Sequence, residues 1–226
     1  MVIKSIQKTT LLDFPGKVAC TIFLAGCNMK CSFCHNASLV FNYDKANFLT
    51  YEETMDFLES RKGKLDGVCI TGGEPTINKD LVDFIKDIKS KGFLIKLDTN
   101  GTNPDMLEEL IDKKLIDYVA MDIKNSFDKY KDITNIDNNI EDIKRSIEIL
   151  KNSSIQHEFR TTVISIHDKE DLVKIAKFIS PSKYFLQEFR SNEDVINMAT
   201  KGVSKEDLKE YMIECNKYTK TFLRKK

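Results

Sequence analysis

Three cysteines in the sequence stand close enough together to bind one metal centre. Cys27, Cys31 and Cys34 form a C-x3-C-x2-C run within eight residues. The other cysteines are dispersed through apolar or helical segments: Cys20, Cys69 and Cys215. Three protein thiolates can hold three irons of a [4Fe-4S] cluster and leave the fourth iron without a protein ligand. Such an iron would be available to a substrate.

Other interpretations of this run compete with a cluster. Cys31, Cys34 and His35 also match the C-x-x-C-H pattern of haem attachment, and Cys31 with Cys34 alone matches a redox dithiol. Both leave Cys27 without a role, and haem attachment expects an exported protein. A structural zinc would need a fourth ligand. The candidates are Cys20, which lies within a predicted strand, and His35, which follows Cys34 too closely to share a tetrahedron easily. The iron-sulfur cluster needs no further ligand.

Three groups of polar or glycine residues each follow a predicted strand. The strands cover residues 67–71, 93–97 and 117–121, and the groups that follow them are Gly72–Glu74, Asp98–Gly101 and Asp122–Lys124. The cysteine run likewise follows a first strand at residues 18–24. In barrels of parallel strands, the carboxyl ends of the strands carry the chemistry. We therefore expect all of these groups to meet at one end of the sheet.

The elements that position these residues alternate between strand and helix. Thr50 and Glu53 form a capping box at the start of one helix, and Asn103–Pro104 starts another. Further strands at 155–164 and 184–189 complete six strand-helix units, with a C-terminal helix at about 204–222. This pattern predicts an α/β fold of parallel strands joined by helical crossovers, as a single domain over residues 1–226 with a cysteine loop at 25–37.

Composition argues against several classes of protein. The chain has 35 basic and 35 acidic residues, so no excess positive charge is present to attract a nucleic acid. No apolar run approaches the roughly 20 residues that span a bilayer. The first residues also lack the apolar stretch of a signal peptide. We expect a cytoplasmic protein that has no nucleic-acid or membrane partner and no disulfide framework.

With Phe33 as the aromatic residue before Cys34, the cysteine run and the strand-end groups resemble the radical S-adenosylmethionine (SAM) superfamily. A narrower resemblance extends over nearly the whole chain, to the anaerobic ribonucleoside-triphosphate reductase activating proteins, which are relatives of the pyruvate formate-lyase activating enzyme. The segments that carry it are residues 13–16, 23–27, 34–36, 97–101 and 121–124. The Asp-Gly-Pro-Gly start that is usual in that family is changed here at Phe14.

The resemblance implies an open partial TIM barrel, (β/α)6, of the radical SAM type. Cys27, Cys31 and Cys34 would bind a [4Fe-4S] cluster that, when reduced, gives one electron to SAM and releases methionine and a 5′-deoxyadenosyl radical. The radical would abstract a glycine hydrogen from a glycyl-radical enzyme, with anaerobic ribonucleotide reductase as the expected partner. A flavodoxin or a ferredoxin-type protein would donate the electron.

The resemblance also implies contacts to the cofactor. The expected SAM contacts are Phe33 at the adenine, Gly72, Gly73 and Glu74 at the methionyl end, Lys124 at the carboxylate, and Arg160, Thr162 and Gln187, the last three only because they lie near the ends of two strands. Asp98, Thr99 and Asp122 would surround a monovalent cation next to the SAM carboxylate. For the two aspartates, capping of the helices that follow is an equal alternative.

The remaining cysteines and histidines are expected to be structural. Cys20 and Cys69 would point into the barrel wall as small apolar side chains, and Cys215 would pack on a helical face. His157 and His167 have no evident partner in the sequence. The scatter of these residues argues against a second cluster.

Two other functions stay open. A radical SAM enzyme that acts on a small molecule, as the similarly compact 7-carboxy-7-deazaguanine synthases do, would have the same cofactor site. A non-catalytic iron-sulfur electron carrier or a zinc protein would leave segments 72–74 and 98–101 without a task. Segments 13–16 and 34–36 favour the activating enzyme.

Overall fold

The computed structural model of the chain describes residues 1–40, 48–137, 139–191 and 193–224. Its strands are β1 (Ile3–Thr10), β2 (Ala19–Leu24), β3 (Gly67–Gly72), β4 (Leu94–Thr99), β5 (Tyr118–Asp122), β6 (Gln156–Val163), β7 (Tyr184–Glu188) and β8 (Thr221–Arg224). They form one eight-stranded sheet in sequence order. β1 is antiparallel to β2, and all later neighbours are parallel. β1 and β8 are the two edges, so the sheet is not closed.

Helices connect the parallel strands. In the described residues they are α1 (Ala37–Val40), α2 (Tyr51–Arg61), α3 (Leu81–Ser90), α4 (Pro104–Asp112), α5 (Tyr130–Thr134), α6 (Ile140–Asn152), α7 (Lys169–Ile179) and α8 (Lys205–Cys215), with 3-10 turns at Pro75–Ile77 and Phe127–Lys129. Each strand from β2 to β7 leads through a long helix to the next strand. This arrangement confirms the six predicted strand-helix units and the partial-barrel fold.

Two helices begin at the capping residues that the sequence predicts. Thr50 and Glu53 form the capping box of α2, with the side chain of each residue bonded to the backbone of the other. The side chain of Asn103 accepts a hydrogen bond from the backbone N–H of Met106, and Pro104 is the first residue of α4. Local capping therefore sets where these helices begin.

The two ends of the chain differ from the prediction. The sequence analysis assigns no strand before residue 18, yet β1 covers Ile3–Thr10 and pairs with β2. The C-terminal helix ends at Cys215 rather than near residue 222, and Thr221–Arg224 adds β8 beside β7. Both added strands are edge strands whose residues are only partly buried, so neither has the long apolar run of an inner parallel strand.

Alternation along the strands separates two environments. On the outer face, Ile22, Ile70 and Leu97 are fully buried in the hydrophobic core beneath the helices. On the inner face, polar residues such as Lys96 and Arg160 line a cavity. Successive side chains of a strand point to opposite faces, so one strand serves both the core and the cavity.

Phe14 closes the cavity at the amino ends of the strands. Its ring lies 6.1 Å from the ring of Tyr118, between centroids, and belongs to a small apolar cluster with Ala19 and Ala120. Its side chain also lies against Gly67, where an added Cβ would come within 2.9 Å of the Phe14 ring. The change from the usual glycine to Phe14 thus serves packing at the floor of the barrel.

No helix in the described residues is long and apolar enough to cross a membrane.

Candidate active site

A cavity of about 460 Å³ opens at the carboxyl ends of the parallel strands. Its lining includes every residue to which the sequence analysis gives a site role: Cys27, Phe33, Cys31, Cys34, Gly72, Gly73, Glu74, Asp98, Thr99, Asp122, Lys124, Arg160, Thr162 and Gln187. The volume lies in the range typical of small-molecule sites. The fold therefore brings the predicted residues together, as the strand-end argument expects.

The cysteine loop has no regular secondary structure but is held by backbone hydrogen bonds. The N–H of Lys30 donates to the carbonyl of Thr134 at 3.0 Å, and the N–H of Ser32 donates to that of Ile133 at 3.2 Å. On the other side, the N–H of Ile196 donates to the carbonyl of Cys34 at 3.1 Å. These bonds fix the loop between α5 and the segment after β7.

The three thiols suit a metal cluster better than a single ion. Burial raises the pKa of Cys27 to about 12 and that of Cys31 to about 11, so an incoming metal must displace their protons. Within the described part of the chain, no three His, Cys, Asp or Glu side chains lie close enough to hold one metal ion. Three thiols that face one cavity are a donor set that would fit a [4Fe-4S] cluster.

The two candidates for the fourth ligand of a zinc site have different surroundings. Cys20 faces the helices and is fully buried in the hydrophobic core. His35 directs its Nε2 atom to the backbone carbonyl of Arg190 and packs against Phe189, with ring centroids 5.1 Å apart. Burial away from the cavity thus excludes Cys20 as a zinc ligand.

The paired glycines bring the end of β3 against the cysteine loop. A Cβ on Gly73 would lie 1.8 Å from the carbonyl oxygen of Gly26. Gly72 has a φ of 124°, and a Cβ there would lie 2.2 Å from the carbonyl oxygen of Leu24. The N–H of Gly73 donates to Leu24 and the N–H of Glu74 to Gly26, both at 2.8 Å. The Gly73 amide, which is predicted to bind the methionyl end of SAM, is therefore bonded to the last residue of β2, and the Glu74 amide is bonded to the cysteine loop. The glycines are needed because two backbones touch here.

Glu74 ties the end of β3 to the end of β4. Its buried carboxylate accepts hydrogen bonds from the backbone and side chain of Thr76 at 3.0 and 2.6 Å, from the Thr99 hydroxyl at 2.8 Å and from the Asn100 N–H at 2.6 Å. Burial raises the pKa of Glu74, and these hydrogen bonds oppose the rise. A contact to the amine of SAM stays a prediction for this residue.

Arg160 links the two aspartates of the site. Its Nε donates to Asp122 Oδ1 at 2.7 Å and its Nη1 to Asp98 Oδ2 at 3.2 Å. Lys124 Nζ donates to Asp122 Oδ2 at 3.1 Å, and Lys96 Nζ donates to Asp98 Oδ1. Burial alone would raise the pKa values of Asp98 and Asp122, but Arg160 and the neighbouring lysine lower both. The two carboxylates are ionised members of a charge network.

Helix capping, the alternative for the two aspartates, is wrong. Asn103 caps α4, and Ser126 precedes the 3-10 turn that follows β5. Asp98 and Asp122 are both strand residues whose side chains face the cavity.

The other predicted SAM contacts also have protein partners. Lys124 Nζ lies 5.6 Å from the centroid of the Phe33 ring, which is buried, so the cation covers part of the ring. The Thr162 hydroxyl donates to Gln187 Oε1 at 3.2 Å. Their contacts with SAM stay predictions.

Three residues that contact the site are given no site role in the sequence analysis. Lys96, 1% exposed, faces the cavity from the middle of β4, and Cys69 faces it as well, with Sγ 3.7 Å from Lys96 Nζ. Cys69 was expected in the barrel wall, and this expectation is wrong. Strand alternation could have found both residues, since each shares a face with a residue of a strand-end group. His167 also has a partner, because its Nε2 lies 2.8 Å from the carbonyl of Lys124.

The comparisons with known proteins identify the family. The Radical SAM superfamily model matches residues 21–179. A protein of Methanocaldococcus jannaschii, named as a glycyl-radical enzyme activating enzyme, is 39% identical over 201 residues, which are 84% of this chain and 81% of the relative. The pyruvate formate-lyase-activating enzyme of Clostridium pasteurianum is 36% identical over 138 residues, which are 58% of this chain and 56% of that relative.

Solved structures agree on the fold. A radical SAM methyltransferase from Sphaerobacter thermophilus superposes with a TM-score of 0.74 at 14% identity, over 94% of this chain and 67% of that one. A domain of a pyruvate-formate lyase-activating enzyme from Bacteroides vulgatus gives 0.55 at 18% identity, over 70% and 98%. The chain belongs to the radical SAM superfamily. Within it, the chain is a member of the glycyl-radical enzyme activating enzymes.

Proposed function

We propose that the chain activates anaerobic ribonucleotide reductase by removing a hydrogen atom from a glycine of that enzyme. Family membership supports the class of reaction, segments 13–16 and 34–36 favour an activating enzyme over a small-molecule enzyme, and the particular partner rests on the narrower resemblance, from which Phe14 departs. The observation that carries the proposal is the position of the cavity. It is lined by Gln7 of edge strand β1 and by Arg224 of edge strand β8, so it faces the gap between the two edges. A polypeptide loop could enter there.

The gap has an apolar lip that suits a protein partner. Leu11 and Leu12 follow β1 directly and are 70% and 89% exposed. Leu12 also lines the cavity. Because Thr10 pairs with Ala19 at the start of β2, these leucines lie towards the amino ends of the parallel strands. Docking of a protein surface there would remove their apolar area from water. We assign this lip to a surface of the partner that flanks its glycine-bearing loop.

Different groups of residues would hold the cluster, face SAM and exclude water inside the cavity. Cys27, Cys31 and Cys34 would hold the [4Fe-4S] cluster, and the charged residues at the ends of β4 and β5 would face the charged end of SAM. When bound, the cluster and SAM supply the 5′-deoxyadenosyl radical. Met29 and Phe33, both buried, form an apolar part of the wall beside the cysteines. Such a wall keeps water and other hydrogen donors away from a reactive centre.

A labelled partner tests the proposal. The reconstituted protein is incubated without oxygen with SAM, a chemical reductant and ribonucleotide reductase that carries deuterated glycine. We expect a glycyl radical signal in the electron spin resonance spectrum, which is a doublet with an unlabelled partner and collapses towards a single line with the deuterated one, and we expect deuterium in the 5′-deoxyadenosine. Protein with Cys31→Ala should give neither.

Two results would separate the alternatives. If SAM is cleaved but the partner gains no radical and transfers no deuterium, the assignment of ribonucleotide reductase is wrong. Pyruvate formate-lyase, labelled in the same way, then shows whether another glycyl-radical enzyme is the substrate. If neither protein reacts, a small-molecule substrate becomes the better explanation.

Several expectations stay predictions. These are the flavodoxin or ferredoxin-type electron donor, the cytoplasmic location and the lack of nucleic-acid and membrane partners. The donor can be tested by replacing the chemical reductant with each reduced protein and measuring release of 5′-deoxyadenosine.

A further inference from the structure

Five charged side chains meet in the cavity at the ends of β4, β5 and β6. Each of the four oxygens of the Asp98 and Asp122 carboxylates has a cationic partner. Lys96 and Arg160 contact the two oxygens of Asp98, whereas Arg160 and Lys124 contact those of Asp122. The Arg160 side chain is 11% exposed and the Lys96 side chain 2%. The guanidinium thus lies between the two carboxylates and is largely shielded from water.

This arrangement conflicts with a monovalent cation at the same place. Such an ion would need the oxygens of Asp98, Thr99 and Asp122 as ligands. The carboxylate oxygens are already bonded to the guanidinium and the lysines. The Thr99 hydroxyl donates to Glu74 at 2.8 Å and accepts from the Gly101 N–H at 3.1 Å. The residues expected to surround a cation do not fit one, because their oxygens serve other partners.

We infer that Arg160 is a built-in counter-cation, which takes the place of a monovalent ion at the SAM carboxylate. The inference depends on SAM binding in this cavity but not on the identity of the partner. Three cationic side chains face two carboxylates here, which leaves one positive charge for the carboxylate of a ligand. A guanidinium is charged at every accessible pH and matches carboxylates geometrically. SAM binding by this chain therefore needs no potassium or sodium.

Loss of Arg160 should make SAM binding depend on a monovalent cation, which the parent protein does not need. Without the guanidinium, Asp98 and Asp122 would face each other with only the two lysines to balance them. Two like charges at close range in a partly buried site repel each other by several kcal/mol before screening. A potassium ion could then enter and bind the freed oxygens. Arg160→Lys keeps the charge, so it should keep independence from salt.

Equilibrium dialysis of SAM tests this inference. The reconstituted protein is used with its cluster oxidised, so that no SAM is cleaved, and without any partner. Potassium chloride is replaced by tetramethylammonium chloride at constant ionic strength. We expect the dissociation constant of the parent to stay constant. Arg160→Gln should bind SAM roughly tenfold more weakly in tetramethylammonium chloride, as expected when a nearby charge is removed. Potassium should restore part of this loss.

Controls distinguish a charge effect from a folding defect. Arg145→Gln removes an arginine that pairs with Asp105 and Glu108 outside the cavity, and it should behave as the parent. A second measurement is the melting temperature, which potassium should raise for Arg160→Gln and leave unchanged for the parent. Weaker SAM binding by the parent when potassium is removed would overturn the inference, with no variant needed. The inference would also be overturned if the Arg160→Gln variant bound SAM as tightly as the parent does in both salts.

Discussion

The cysteine thiols differ in what surrounds them, and this difference decides which can bind iron. Cys27, Cys31 and Cys34 line the cavity from a loop. Cys20 is enclosed in the core, and burial raises its pKa to about 12. Cys69 reaches the cavity but contacts Lys96 deep inside it. Position in the fold thus favours the same three ligands that the spacing in the sequence predicts.

Single cysteine substitutions should separate the two groups. We expect about four irons per chain after anaerobic reconstitution, as for one [4Fe-4S] cluster. Changing any one of the loop cysteines to alanine should remove these irons together. Cys20→Ala, Cys69→Ala and Cys215→Ala are matched controls that should keep them. Iron analysis and the visible absorption of the cluster provide the measurement, and a cluster that survives Cys27→Ala but not Cys69→Ala would contradict the assignment.

The sequence predicted which residues share the site but not how they pair. Strand ends and cysteine spacing are local patterns, and each placed its residues correctly. The contacts of Arg160 with Asp98 and Asp122 join residues from three strands, 62 and 38 positions apart in sequence. Such pairings depend on strand register and barrel curvature. For this reason the aspartates were open to two interpretations, a cation site or helix caps, and Lys96 was missed.

At the scale of elements, the end of β3 and the cysteine loop act as one unit. Gly73 and Gly26 touch through their backbones, and Glu74 extends the contact to the end of β4. Backbone contacts to β3 therefore position the cysteine loop. Glycine at residue 73 has a structural purpose that the pattern Gly-Gly-Glu alone does not reveal.

Gly73→Ala should disrupt the cysteine loop. The new Cβ would lie 1.8 Å from the carbonyl oxygen of Gly26, so one of the two backbones must move. We expect a loss of about 3 kcal/mol or more in the free energy of unfolding, at the upper end for an overpacked site. Urea unfolding measures the loss, and iron content after reconstitution should fall as well.

Gly63→Ala is the matched control. Gly63 has a φ of 71° and no atom within 4 Å of an added Cβ. It should cost about 1 kcal/mol, from backbone strain alone, and leave the iron content unchanged. Equal losses in the two variants would mean that the contact between Gly73 and Gly26 is not important for stability.

The edge strands show where prediction of elements reaches its limit. The inner strands have continuous apolar runs because both of their faces are covered. β1 carries exposed polar residues along most of its length, and β8 has only four residues. Such strands depend on a neighbour for their structure, so the sequence alone gave six strands where the sheet has eight.

For the whole molecule, these two edge strands define the opening. β1 pairs with β2 on one side, and β8 pairs with β7 on the other, with no pairing between β1 and β8 in the described residues. The cavity therefore has a side entrance next to the exposed lip of Leu11 and Leu12. Phe14 packs at the amino ends of the strands, so a large substrate would enter from the carboxyl ends or from this side.

The lip of Leu11 and Leu12 should affect docking of the protein partner and not the cleavage of SAM. We expect the double change Leu11→Ser and Leu12→Ser to raise the partner concentration at half-maximal glycyl radical formation about tenfold or more, since each buried leucine contributes about 1.5 to 3 kcal/mol. SAM cleavage without the partner should stay at the parent rate, because neither leucine belongs to the charged end of the cavity. Ile213→Ser, which changes a residue of α8 that is 58% exposed and does not line the cavity, is the control. Unchanged partner dependence in the double variant would place the docking surface elsewhere on the molecule.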